Sequence, residues 1–157
     1  MTTIPNLHVT TVGSAKGAAD VFVQSRKNAT HTGVFTTKIS VSYDPSVMDY
    51  PLLSALSIQA DFFDEGKVSV KATSIELMNS VGKYSPTIYL VGRCTVKLSE
   101  QDIQPKGCKY WLTITDNTVG GQETPSVIGF AIIDNMGKKI LHGAGPVKSG
   151  NIAVQST

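Results

Sequence analysis

Charge is the first thing this sequence is short of. Asp, Glu, Lys and Arg make up 17% of the 157 residues, against about 25% in soluble domains generally. The formal net charge is only +2, and the densest basic cluster is the pair Lys138-Lys139. A nucleic-acid-binding surface needs a basic stripe with aromatics beside it, so nucleic acid is not an expected partner. Cysteine is nearly absent. Cys94 and Cys108 lack zinc-ligand spacing, and no histidine stands near either in sequence. They read as small, reduced core residues or, in an oxidising compartment, as one disulfide across a hairpin. The three histidines, His8, His31 and His142, are far apart, so no metal site and no other cofactor is expected.

Long apolar runs are missing too. No stretch approaches the roughly 18 residues of a transmembrane helix. Met1 to Gln24 has no basic segment leading into an apolar one, as a secretory signal would. The expectation is a protein with no membrane span, cytoplasmic or released without a signal peptide, and extracellular if the chain is a mature form. The sequon Asn28-Ala29-Thr30 then reads as a chance occurrence. Helical periodicity and internal repeats are equally scarce.

What the chain has is alternation with period two, which marks half-buried strands. Phe35, Ile39, Val41 and Tyr43 share one face of a segment whose other face is Thr36, Lys38, Ser40 and Ser42. Leu56, Ile58, Ala60 and Phe62 repeat the pattern, and Asp64-Glu65-Gly66 follows as a hairpin turn into Val68, Val70 and Ala72. The apolar phase then switches to Ile75 and Leu77, which predicts a β-bulge near Thr73-Ser74. Asn79 to Pro86 reads as a loop. Ile88 to Val96 and Cys108 to Thr115 alternate as strands, joined by the polar stretch Ser99 to Gly107, which could hold one helical turn. Val127 to Ile133 is apolar on both faces and reads as a central strand. Asp134-Asn135-Met136-Gly137 is a second turn, with Lys139 to His142 returning from it. Gly143 to Gly150 reads as a loop before a short last strand, Ile152 to Val154. In the first thirty residues, Leu7 to Val12 and Asp20 to Gln24 look like strands separated by Gly13 to Ala19. About eight to ten strands with regular turn signals predict one all-β antiparallel domain over residues 1–157. A two-sheet β-sandwich is the first expectation and a closed β-barrel the alternative.

No constellation for catalysis emerges. There is no Gly-x-Ser-x-Gly elbow, and Cys94 lies on an apolar strand face, which disfavours a thiolate. Asp44, Asp64 and Glu65 suit turns, and Asp61 reads as a solvated residue on a polar strand face. Gly143 to Gly150 lacks the order of a phosphate loop, and Pro146 removes a donor from it. Trp111 is the most informative residue. Alternation sets it opposite Tyr110, Leu112 and Ile114, so it is either buried by a second layer or subunit, or exposed as a recognition surface. Tyr50 and Tyr84 sit in Pro-containing loops, where binding function is common, although tyrosines there can also cap the core.

Three readings follow. The first is a non-enzymatic binding module for carbohydrate or another small neutral ligand. Trp111 would stack on it, Tyr50 and Tyr84 would flank it, and Asp116 and Asn117 would hydrogen-bond to it. The second is an assembly protein forming homo-oligomers, with Trp111 as the intersubunit anchor. The third is a small barrel enzyme or carrier with an internal apolar pocket, in which Asp61, Arg93 and His142 supply polar groups.

Overall fold

The computed structural model describes residues 13–24, 32–44, 46–62, 66–98, 107–119 and 124–156. They form nine antiparallel strands and no helix. The strands are β1 (Gly13–Gln24), β2 (Thr32–Tyr43), β3 (Leu52–Phe62), β4 (Gly66–Ala72), β5 (Leu77–Val81), β6 (Thr87–Leu98), β7 (Cys108–Thr115), β8 (Val127–Ile133) and β9 (Lys139–Ser156). Sheet order is β4-β3-β2-β1-β9-β8-β7-β6-β5, and β4 also pairs with β6. That extra pairing closes eight strands into a barrel, with β5 as an additional short strand.

The all-β antiparallel expectation therefore holds, and the barrel replaces the sandwich as its architecture. The two are related by how the wall turns its corners. Residues of β9 up to Pro146 pair with β8, and those from Val147 to Ser156 pair with β1. One strand thus leaves one sheet and joins another. On the opposite side, β4 pairs with both β3 and β6, while β5 pairs with β6 alone. Between them the Thr73 N–H donates to the Arg93 carbonyl at 2.8 Å and the Glu76 N–H to the Val91 carbonyl at 2.7 Å. This is the irregularity predicted near Thr73-Ser74. Strands that change sheets through bends or bulges are how two packed sheets become continuous. The barrel therefore has two walls: β1 to β4 with the second half of β9, and β5 to β8 with the first half.

Gly92 makes the first corner possible. A Cβ there would lie 2.0 Å from the Ser74 carbonyl oxygen. With only hydrogen at that position the carbonyl tucks in and accepts a hydrogen bond from the Tyr110 hydroxyl at 2.9 Å. Glycine has the same effect at the second corner. Gly143 to Gly150, expected as a loop, is continuous strand within β9; at Gly150 the backbone takes φ +78° and a Cβ would run into the Ala18 carbonyl oxygen, so the strand bends there on a glycine. Gly13 to Ala19 is likewise strand rather than connection. Its small residues Ala15 and Ala19 face the interior and are buried. Two smaller revisions follow: Asn79 to Val81 is strand, so the loop begins at Gly82, and Ile152 to Val154 is only the end of β9. Leu7 to Val12, Asp64, Glu65 and 99–106 lie outside the described residues.

Side chains fill the interior. Phe35, Ile39, Leu90, Leu112, Ile114, Ile128 and Ile132 are all at most 3% exposed. Each such burial contributes about 1.5–3 kcal/mol. Phe35 of β2 meets Phe130 of β8 edge-on, with ring centroids 4.6 Å apart, so the two walls touch across the core. Cys94 and Cys108 are opposite partners on β6 and β7, both buried, and no disulfide joins them. Burial pushes the Cys94 thiol up to about 12. Among the described residues no helix is long and apolar enough to cross a membrane.

Candidate functional site

At the end of the barrel where β2, β7 and β9 finish, a cleft of about 650 Å³ opens. Its floor is a row of cross-strand partners, Ser42, Ser14 and Gln155, with the Ser14 hydroxyl donating to the Gln155 amide oxygen at 3.4 Å. Asn151 and Ala153 continue the floor along β9, and Met48, Lys83, Thr118 and Val119 form the rim. Most of these side chains are uncharged hydrogen-bonding groups or small apolar ones.

Two aspartates shape the rim. Asp44 accepts from the Ser46 N–H at 3.0 Å and its hydroxyl at 2.7 Å. The carboxyl is thereby held below its ordinary range, chiefly by the Ser46 hydroxyl. Met48 N–H donates back to the Asp44 carbonyl at 2.9 Å, so Asp44 initiates the turn, as its place before Pro45 suggests. Asp116 is 1% exposed. Its Oδ1 accepts from the Thr118 N–H at 3.0 Å and hydroxyl at 2.6 Å, and its Oδ2 from the Val154 N–H at 3.1 Å. Val154 lies where β9 pairs with β1 on one edge only, so the carboxylate takes the place of a neighbouring strand.

The five residues expected to bind ligand do not converge. Asp116 and Asn117 are buried and engaged: the Asn117 amide donates to the Pro125 carbonyl at 2.8 Å, and its N–H to the Ser126 hydroxyl at 3.2 Å. Tyr50 and Tyr84 are exposed, at 80% and 67%, in the 44–51 and 82–86 loops at the cleft end of the barrel. Lys83 Nζ stands 5.8 Å from the Tyr84 ring centroid, within range of a cation–π contact. Trp111 projects from the middle of the second wall, 41% exposed. Asp61, Arg93 and His142 also face outward, on β3, β6 and β9, so none of them lines an internal pocket.

Trp111 belongs to a second feature that strand reading on its own missed. Its cross-strand neighbours are Leu77 and Val91 on one side and Ala131 and His142 on the other. The next row towards the cleft is Asn79, Tyr89, Thr113, Gly129 and Ala144, and the third is Val81, Thr87, Thr115, Val127 and Pro146. No Asp, Glu, Lys or Arg occurs in these three rows. The row beyond Trp111 on the other side is charged. There Arg93 Nε bonds Glu76 Oε1 at 2.7 Å, and Lys109 Nζ stands 3.8 Å from Glu76 Oε2. The signal was in the sequence as outward positions without charge on five successive strands, but only the register lines them up.

Among the described residues no group of three or more His, Cys, Asp or Glu can hold a metal ion. Comparison of the chain with family models, curated proteins and solved structures found no match.

Proposed function

We propose that this protein is a non-catalytic binding module that holds a small neutral polar ligand, of the carbohydrate class, in the cleft at the barrel's end. The cleft carries the reading. Ligand sites typically measure about 300–1,000 Å³ and combine apolar contact with a few placed polar groups. This one, at about 650 Å³, offers Ser14, Ser42, Asn151 and Gln155 beside Met48, Val119 and Ala153. Hydroxyls and amides both donate and accept, which suits a ligand rich in hydroxyl groups better than a charged one. Tyr84, next to the rim residue Lys83, supplies a ring for stacking.

Calorimetric titration with a panel of mono- and oligosaccharides tests this. Saturable binding of one sugar class is expected, weakened about tenfold, or 1.4 kcal/mol, by Gln155→Ala and by Tyr84→Ala. No heat from any sugar at millimolar concentration would remove the reading. So would binding that both variants leave unchanged.

A further inference from the structure

We infer that the charge-free face of the second wall is where two copies of this chain pack together, with Trp111 as the central anchor. The inference is independent of the cleft. It rests first on self-complementarity. Trp111 stands proud of its strand, while its neighbours across the ladder, Ala131 and the diagonal Gly129, leave a hollow beside it. Nothing in the barrel demands a glycine at position 129. A Cβ there would meet only the Ala144 Cβ at 3.5 Å and the Gly143 carbonyl at 4.0 Å, ordinary contact distances. Knob and hole on one face are what a two-fold, isologous contact requires.

Charge selects the same arrangement. A two-fold axis along the strands would bring the Arg93 and Lys109 row of one copy onto the same row of the other. An axis running obliquely across them seats Trp111 of one copy on the Gly129–Ala131 hollow of the second. It also turns Arg93 and Lys109 of one copy away from the same pair of the other. The opposite wall offers no such option, because Lys16, Lys38, Lys67 and Lys71 project from it exposed.

Size sets the strength. Five strands about 4.8 Å apart and three rows about 6.7 Å apart cover roughly 500 Å² in projection. A standard interface buries about 800 Å² per partner. The pairing is therefore at the small, reversible end of specific interfaces.

Sedimentation equilibrium from 1 to 500 μM tests it, with iodide quenching of Trp111, the only indole, followed over the same range. Mass should rise towards the dimer, and Trp111 should become protected as it does. Gly129→Val fills the hollow without disturbing the barrel, and it should weaken association at least tenfold. Trp111→Ser should do the same, while Lys38→Ser on the other wall should leave association unchanged. A wild-type chain monomeric at 500 μM overturns the inference. So does a dimer in which Trp111 stays open to iodide, or one indifferent to Gly129→Val.

Discussion

Wall one and wall two bury the same kinds of side chain and show solvent different ones. Inside, β2 contributes Phe35, Ile39 and Val41, and β7 contributes Tyr110, Leu112 and Ile114. Outside, β2 shows Thr36, Lys38 and Ser40, whereas β7 shows Trp111 and Thr113 between Tyr89, Val91 and Ala131. The inner face is constrained by the need to fill a closed barrel. The outer face is not, so a departure from the polar norm there needs a reason outside the fold. The two walls meet at corners built on single residues, and substitutions there cost the most.

The largest effect is expected from Gly92→Ala. The new methyl meets a backbone carbonyl, which cannot swing aside as a flexible side chain would. It must displace Ser74 and with it the Tyr110 hydrogen bond. A loss of about 3 kcal/mol is expected, at the upper end for overpacking, read from the urea midpoint. An unchanged midpoint would mean that the β4–β5 corner does not hold the walls together.

Asp116→Ala attacks the other corner. It strips three hydrogen bonds and leaves the Val154 N–H at the β9 edge without its acceptor. About 2–3 kcal/mol should be lost, because an unsatisfied buried donor keeps its full desolvation cost. Amide exchange at Val154 should accelerate with it. Stability lost without faster exchange at Val154 would place the cost in the Asp116–Thr118 turn instead.

Alkaline pH separates the walls chemically, since the buried thiols and Tyr110 all belong to wall two. Burial raises Cys94 from an ordinary value near 9 to about 12, and raises Cys108 and Tyr110 as well. Between those limits the unfolded chain releases protons that the folded chain keeps, so stability falls as pH rises. Cys94 alone should cost on the order of 1 kcal/mol at pH 10 relative to pH 8. Cys94→Ala should flatten the slope. A wild-type urea midpoint that does not move between these pH values would sink the prediction.

Much of this fold is legible in the chain. The strand Cys108 to Thr115, the irregularity after Ala72 and the turn at Asp134 to Gly137 follow from alternation and turn chemistry. In that turn the Asp134 carboxylate accepts from the N–H groups of Met136 and Lys138, at 2.9 Å each. Gly143 to Gly150 misled because glycine marks both a loop and a strand bending round a corner, and only the closure tells them apart. Sandwich and barrel share one pattern of alternation; the β4–β6 pairing that decides between them leaves no mark on either strand alone. The site was less legible for a similar reason. Asp116 and Asn117 carry groups suited to a ligand, but the fold spends those groups on its own backbone.

One substitution should change sign between the walls, and its effect is the smallest. Thr37 points into the barrel from wall one, fully buried, and its hydroxyl has no partner among the described residues. Valine has nearly the same shape without the buried oxygen. Thr37→Val should therefore stabilise by about 1 kcal/mol, the desolvation cost of an unpaired hydroxyl. Thr87 on wall two is also buried, but its hydroxyl lies 2.9 Å from that of Thr115 and 3.3 Å from the Ser85 carbonyl. Thr87→Val removes those bonds and should destabilise by about 1 kcal/mol. Urea unfolding of the two variants at one pH checks both signs. If both substitutions destabilise, the Thr37 hydroxyl has a partner, an ordered water being the first to look for. If both stabilise, the Thr87–Thr115 pair contributes nothing net, and the walls differ only on the outside.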